Sequence, residues 1–473
     1  MSKKIFPKKF AVLALILLLS LFLRFYKISS LFPFNGDVAW DYLSAESFLK
    51  GGLWPLIGIS SSVPWLHQGA FFTYLLIIIL GLSKGNPVAP VIFTAALGVL
   101  TTFLVYFLGK KIFYEKAGLW SALFYAISPL SVFFDRFPYH LSLIAILSLL
   151  FFWSLFKAIK GKTNTFILSS LLLGILMQFE LSNLVLLPVL VIFFFLKRKE
   201  IPIRCVILSI FSFAFPWLPK IIYDFSHGPS QTLGYLAWVG HKLIPIGSLD
   251  IDKSIAGPIL PNIKLSFTFL AKAIFPSSLI VSSFVFLLLL LFLVLHLKTK
   301  EKKNGGAFLL LLWLVIPLVC FLIMGFPSES YFPILLPGIA FLFGFILEKS
   351  TQIIKPVALV FCAAVLFLSV NVVFLFKNDF LVSGDKYGEI KETAEFIVKD
   401  AQDHNFNLIP LGSYAEFPGN ILNLVYLTQY LGHGPSNKKA KNSYFVYNSG
   451  EQGPIKNALK VAWFGQMTIF RKK

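Results

Sequence analysis

The chain has 473 residues, 57% of them hydrophobic and only 14% charged, with a formal net charge of +20. A soluble globular domain carries about 25% charged residues, so an ordinary soluble protein is excluded. The Lys and Arg lie in short clusters between apolar runs with no nucleic-acid-binding motif beside them, which excludes a nucleic-acid partner and indicates a polytopic membrane protein.

Lys3, Lys4, Lys8 and Lys9 precede the apolar run Phe10 to Tyr26, which lacks a small-residue cleavage site. It reads as a retained first span entered from the cytoplasmic side. The stretch Asn35-Gly36-Asp37-Val38-Ala39-Trp40-Asp41-Tyr42 follows. Mixed apolar and polar positions over 38–49 predict a short amphipathic helix lying at the membrane surface. Asp41 then falls in its first turn and Asp37 near its N-cap, where carboxylates are favoured. Acids beside a membrane are candidate functional groups, and simple capping is the competing reading for Asp37. Gly51-Gly52 marks a turn.

The apolar segment Ala70 to Leu82 is too short for a hydrocarbon core of about 30 Å and reads as interfacial or re-entrant. Charge supports this. With 70–82 left uncrossed, spans fall near 10–26, 88–109, 117–134, 140–157, 164–180, 182–196, 205–223, 274–297, 306–324, 332–347 and 356–376. The basic connectors around Lys110, Lys157, Arg198, Lys300 and Lys349 then all face the cytoplasm. That gives about eleven spans in the cell membrane, the N-terminus inside and the C-terminus outside.

The connectors left on the outer side are Asp135-Arg136-Phe137-Pro138-Tyr139-His140, Glu180-Leu181-Ser182-Asn183, residues 224–272, and Gly325-Phe326-Pro327-Ser328-Glu329-Ser330-Tyr331. They are polar and aromatic where the cytoplasmic ones are merely basic, so chemistry is expected on the outer face. Composition changes after Phe376. Residues 386–403 carry helical apolar spacing, and 443–447 and 461–470 alternate like strands. Two domains follow: 1–376, with a first outer loop over 27–87, and a small α/β unit over 377–473. Cys205, Cys320 and Cys362 all fall in apolar segments, which suggests neither a disulfide framework nor a metal cluster.

Several ordered pieces resemble the GT-C superfamily of membrane glycosyltransferases, in particular the protein O-mannosyltransferases and the lipid A aminoarabinose transferase. They are Arg24-Phe25-Tyr26, Gly36-Asp37, Gly51-Gly52, the run His67-Gln68-Gly69-Ala70-Phe71-Phe72-Thr73-Tyr74, Leu108-Gly109-Lys110-Lys111, Ser128-Pro129 ahead of Asp135-Arg136, and Tyr331 followed by Pro333 and Pro337. The resemblance implies an all-α GT-C membrane fold with a small extracytoplasmic α/β domain. It implies an inverting transfer of sugar from a polyprenyl-phosphate donor to a lipid, glycan or protein hydroxyl. It places the catalytic base on Asp37. The family has Asp-Glu where this chain has Asp37-Val38, so Asp41 or Glu46 is the candidate second acid.

His67 is a candidate ligand or a plain interfacial histidine, and a divalent metal is left open. Arg136 is a candidate phosphate contact, with Asp135 its neighbour, or else an interfacial anchor. His140 either joins the site or caps the next span. Glu180, Glu329 and Tyr331 are candidate substrate contacts. Lys220, His241 and Lys242 either meet a phosphate or snorkel. No Walker loop, dinucleotide fingerprint or HExxH helix occurs in the sequence. A transporter or lipid-linked-sugar flippase and a scaffold displaying the C-terminal domain are the alternatives.

Overall fold

The computed structural model describes residues 8–243 apart from 62 and 64, together with 259–298, 305–323, 327–353, 370–376 and most of 385–472. The helices are α1 (Lys8–Phe25), α2 (Gly36–Leu49), α3 (Phe71–Leu82), α4 (Ala89–Ile112), α5 (Glu115–Ile127), α6 (Pro129–Asp135), α7 (Ile144–Ile159), α8 (Thr165–Phe179) and α9 (Leu187–Lys197). They continue as α10 (Ile203–Ala214), α11 (Leu218–His227), α12 (Leu233–Leu243), α13 (Ile259–Ile274), α14 (Leu279–Lys298), α15 (Gly305–Ile323) and α16 (Leu336–Ile353).

Among the described residues, six helices are long and apolar enough to cross a membrane, or seven if α5 and α6 form one broken span. About eleven spans are therefore not met by length and composition alone. The expected spans near 10–26, 164–180 and 182–196 are apolar but short. Most of 356–376 lies outside the described residues. Helix α3, at 12 residues, is only about 18 Å long, well short of a hydrocarbon core.

Small residues let the helices approach closely. A Cβ on Gly344 of α16 would lie 2.0 Å from Ser121 Oγ and 2.3 Å from the Ala117 carbonyl oxygen of α5. One on Gly118 would lie 2.6 Å from the Tyr106 carbonyl oxygen of α4. Such contacts suit helices that gain little from apolar burial in lipid. Trp313 is fully buried at the centre, stacked on Phe152 at 4.7 Å, with its indole N–H donated to the Ile334 carbonyl at 3.1 Å.

Three helices are entered through 3-10 turns at one end of the bundle: His140–Leu143 before α7, Leu181–Leu186 before α9, and Glu329–Leu335 before α16. The turn before α16 touches both of the others. Three polar connectors separate in sequence thus meet at one rim.

The C-terminal unit holds α17 (Tyr387–Ala401), α18 (Leu422–Tyr430) and four strands: β1 (Phe406–Leu411), β2 (Asn442–Tyr447), β3 (Lys460–Phe464) and β4 (Met467–Lys472). The sheet order is β1-β2-β4-β3, with β1 parallel to β2 and the other pairs antiparallel. The alternation expected over 461–470 is a hairpin, β3 and β4, turning at Gly465 with φ +56°. Helix α17 buries Ile390, Ala394, Ile397 and Ala401 as its spacing requires. Strand β1 and helix α18 were not among the expected elements.

This unit is docked onto the first loop. Phe34 N–H donates to the Asp385 carbonyl at 2.9 Å, and Tyr387 N–H to that of Phe32 at 3.0 Å. Asn423 Nδ2 donates to the Phe34 carbonyl at 3.1 Å, and the Tyr426 hydroxyl to that of Gly85 at 2.8 Å. Phe32, Phe34, Tyr42, Tyr387 and Tyr426 interlock as an aromatic cluster. A merely displayed domain does not require such a seam.

Candidate active site

Helix α2 starts two residues earlier than expected, at Gly36. Asn35 is its N-cap, its side chain accepting the Val38 N–H at 3.1 Å. The capping role open to Asp37 thus belongs to Asn35. Asp37 stands in the first turn, where a carboxylate is favoured by the helix dipole while its side chain remains available.

Asp37 lies in the wall of a cavity of about 990 Å³. The bundle contributes Trp40, Tyr139, His140, Glu180, Ser328, Ser330 and Tyr331. The hairpin 59–68 adds Ser60, Ser61 and Gln68, and the C-terminal unit adds Asp385, Phe417, Gly419 and Asn420. The Asp37 side chain is exposed to the cavity, and the protein mass around it raises its pKa, with His140 pulling the other way.

Three buried polar side chains build the opposite wall. His140 is 4% exposed, with Nε2 3.8 Å from Glu180 Oε2. Gln68 Nε2 donates to that same Glu180 oxygen at 3.0 Å, and Gln68 Oε1 accepts the Leu181 N–H at 3.1 Å. The other Glu180 oxygen accepts the Ser182 N–H at 3.3 Å. Glu180 is thus fixed by the turn it starts, as a carboxylate at a helix start should be. His140 Nδ1 is buried and has no hydrogen-bond partner among the described residues.

Asp41 is 2% exposed and behind the cavity wall rather than in it. Thr73 Oγ1 donates to its Oδ1 at 3.3 Å, while Oδ2 has no partner among the described residues. Burial raises its pKa to about 7, against the opposing effects of His140 and Thr73. A raised carboxyl pKa favours the folded state only while the group is protonated, and that contribution is lost as pH rises from about 4 through about 7. Asp41→Asn is therefore expected to stabilise the protein at pH 8 by up to about 4 kcal/mol and to change little at pH 4. Thermal melts of wild type and variant at the two pH values check this. Equal shifts at both would show that Asp41 ionises normally.

The seam next to Asp37 is tight. A Cβ on Gly36 would lie 1.6 Å from the Gly419 carbonyl oxygen, a backbone atom that cannot swing aside. Gly36→Ala is expected to force the segment around Gly419 away. Limited proteolysis of residues 412–420 should then quicken severalfold while the bundle's melting changes little. Unchanged cleavage would mean that the two backbones do not touch.

A family model described as dolichyl-phosphate-mannose-protein mannosyltransferase matches residues 67–223. The structure is similar to that of ArnT from Cupriavidus metallidurans bound to undecaprenyl phosphate. That pair is 10% identical with a TM-score of 0.59, and the match covers 98% of this chain and 97% of that one. It is also similar to the Archaeoglobus fulgidus oligosaccharyltransferase in complex with Zn and sulfate, at 14% identity and a TM-score of 0.55. There the match covers 83% of this chain but 56% of the larger archaeal protein. The same archaeal protein, AglB, in complex with an inhibitory peptide and a dolichol-phosphate aligns at 13% identity and a TM-score of 0.50, over 93% of this chain and 61% of that one. No curated protein sequence matches the chain.

The chain has the GT-C fold. Within this GT-C frame, Asp135 and Arg136 sit outside the cavity, against the expectation of a substrate contact. Arg24 Nη2 lies 2.7 Å from Asp135 Oδ2, and Arg24 Nε donates to the same oxygen at 2.8 Å, both side chains buried. Arg136 donates Nη1 to the carbonyls of Leu23, Arg24 and Tyr26 at 3.2, 2.9 and 3.0 Å, and Nη2 to that of Leu31. Its charge answers the unpaired carbonyls at the end of α1 and is not presented to a ligand.

His67 is likewise outside the GT-C cavity. Its N–H donates to Gln231 Oε1 at 2.9 Å and its carbonyl accepts from the buried Lys220 Nζ at 2.6 Å, so both hold the hairpin 59–68 in place. Burial lowers the pKa of its imidazole. Glu329 pairs with Lys272 at 2.5 Å and leaves the cavity to Tyr331, two residues on. The side chains of His241 and Lys242 lie outside the described residues. Among the described residues no three His, Cys, Asp or Glu side chains are grouped as metal ligands. Sequence reasoning missed Trp40, Tyr139, Trp238 and Asp385 as cavity residues. Tyr139 stands beside His140 in a connector already singled out, whereas nothing in the local sequence marks Asp385.

Proposed function

We propose that the chain is an inverting glycosyltransferase, taking a sugar from a polyprenyl-phosphate donor and placing it on an acceptor hydroxyl at the outer face of the cell membrane. The N-terminus is then cytoplasmic and the C-terminal unit extracytoplasmic, as the basic connectors require. The observation that carries the reading is Asp37: a carboxylate relieved of capping by Asn35, on a rigid helix start, open to a cavity at the rim of a GT-C bundle. ArnT with undecaprenyl phosphate and AglB with a dolichol-phosphate and a peptide support a lipid-borne donor.

In this reading Asp37 takes the proton of the acceptor hydroxyl as its oxygen attacks the anomeric carbon. The bond from that carbon to the phosphate oxygen breaks, and polyprenyl phosphate leaves with the electron pair. The leaving group is already a stable anion, so the reaction needs a base more than an acid. Crowding that lifts the Asp37 pKa also makes it a stronger base. Glu180, held by Gln68 and the Ser182 N–H, stands 3.8 Å from His140 Nε2 at the opposite wall. A transporter needs its ionisable groups near the bilayer midplane, whereas Asp37, His140 and Glu180 gather at a rim beside the C-terminal unit.

The test is to incubate membranes carrying the full chain with radiolabelled polyprenyl-phosphate sugars and to follow the label. Transfer to an extractable acceptor by wild type and not by Asp37→Asn is the expected result. Equal transfer by both sinks the assignment of Asp37.

A further inference from the structure

The wall opposite Asp37 is made of two pieces, the hairpin 59–68 and the turn that Glu180 starts, and Gln68 joins them. One end of its amide donates to Glu180 and the other accepts the Leu181 N–H. The backbone of Gln68 closes the hairpin, its N–H on the Ile59 carbonyl at 2.8 Å and its carbonyl accepting the Gly58 N–H at 2.9 Å. A two-stranded hairpin is marginally stable at best on its own. Its place must therefore be set by groups outside it.

Both neighbours of Gln68 are held from outside. The Gly69 N–H donates to the Gln178 carbonyl of α8 at 2.9 Å. On the other side, Gln231 accepts the His67 N–H through Oε1 at 2.9 Å and donates Nε2 to the Trp65 carbonyl at 2.8 Å. Its amide thus pairs with this strand as the peptide group of a further strand would. The reversed amide would meet both partners with the wrong group, so its orientation is fixed. Gln231 is 1% exposed and lies behind the cavity wall, not in it. The buried Lys220 Nζ adds a bond to the His67 carbonyl at 2.6 Å.

These groups come from one pair of helices. Lys220 and Asp224 stand one turn apart on α11. Asp224 accepts the N–H groups of Gln231 and Thr232 at 2.9 and 2.8 Å and the Thr232 hydroxyl at 2.6 Å, which fixes the entry to α12. One turn further on, the buried Tyr235 donates its hydroxyl to the Leu181 carbonyl at 2.9 Å. Helix α12 and its entry thus grip the hairpin and the Glu180 turn together.

We propose that the entry and first turn of α12 position the wall opposite Asp37. Gln231 is a positioning residue that acts through Gln68 on the Glu180 carboxylate, and Tyr235 is a positioning residue for the turn that Glu180 starts. A misplacement of about 1 Å in a site can cost up to about 10²-fold, so residues that never touch substrate should be felt in catalysis. What the wall is used for rests on the glycosyltransferase reading; the clamp itself does not.

The test uses the full chain in lipid nanodiscs, with Gln231→Met, which removes both amide bonds, and Tyr235→Phe, which removes one hydroxyl and keeps the ring. Amide hydrogen exchange needs no substrate. Gln231→Met is expected to quicken exchange over 58–68 about tenfold or more, and Tyr235→Phe to quicken it severalfold over 181–183, with α4 and α5 unchanged in both. Unchanged exchange at either segment overturns the proposal. Should Gln231→Met fail to fold, Tyr235→Phe decides alone.

With a transferable labelled donor, Gln231→Met is expected to raise the KM for donor or acceptor about tenfold while kcat changes less than about twofold, because the wall binds substrate and transition state alike. A role in stability alone lowers kcat with the folded fraction and leaves both KM values unmoved, and that pattern overturns the proposal. In a Gln68→Met background, Gln231→Met should add less than about twofold to KM; full additivity overturns the route through Gln68. Quickened exchange as expected, but no transfer by wild type from any polyprenyl-phosphate sugar, would defeat the glycosyltransferase reading and leave the clamp standing.

Discussion

Asp37→Asn is expected to reduce sugar transfer by about 10²- to 10⁴-fold, the range for loss of a positioned general base. The amide keeps the shape of the side chain and cannot take a proton. The fold should hardly notice. Asn35 caps α2, so the variant loses only the attraction of a first-turn carboxylate for the helix dipole, about 0.3–1 kcal/mol. A normal melting temperature with lost transfer is the signature of a base, whereas a lowered melting temperature with proportionate loss of activity would mark a structural residue. The pH profile adds a second reading. The base must be ionised, so activity should fall as pH falls through the Asp37 pKa. Burial places that acid limb above the range of an ordinary aspartate. A limb at the usual aspartate value would mean that Asp37 is solvated and does not face an enclosed site.

The same residue shows how far local sequence carries the argument. Hydropathy and the position of basic clusters are strong, repetitive signals, so the helical bundle, the shortness of α3 and the later α/β unit were all legible. The convergence of 135–140, 180–183 and 327–331 at one rim was legible too, because a bundle must place alternate connectors at the same end. Which polar residue within each connector faces the cavity was not. His140 and Tyr331 do, whereas Asp135, Arg136 and Glu329 turn into pairs with Arg24, the end of α1 and Lys272. A helical turn of difference decides this, and composition does not record it. Asp385 was invisible for another reason. It enters the cavity through docking of a separate unit more than three hundred residues from Asp37, and only the seam with Phe32 and Phe34 brings it there.

Arg24→Met is expected to destabilise the bundle by about 3–5 kcal/mol, because it leaves Asp135 buried without its counter-charge. Arg24 and Asp135 are 0% and 3% exposed as side chains. A cation removed there cannot be replaced by water, and Gly98 packs so closely that its Cβ would lie 2.4 Å from Asp135 Cγ. The double variant Arg24→Met/Asp135→Leu removes both charges and should recover much of the loss. Recovery should stop short of complete, since Arg24 also donates to the Ala126 carbonyl at 2.9 Å and the Tyr125 carbonyl at 3.4 Å, at the end of α5. Arg136, at the end of α6, does the same for the end of α1, so the ends of α5 and α1 are each closed by an arginine from a neighbouring helix. Melting curves of the three proteins in one detergent supply the measurement. Residues that bind substrate give the opposite pattern: a raised KM, an unchanged melting temperature and no rescue in the double variant. That outcome would return Asp135 to the site. Rescue of stability would establish that this arginine-rich corner is the clasp holding α1 against the break between α5 and α6.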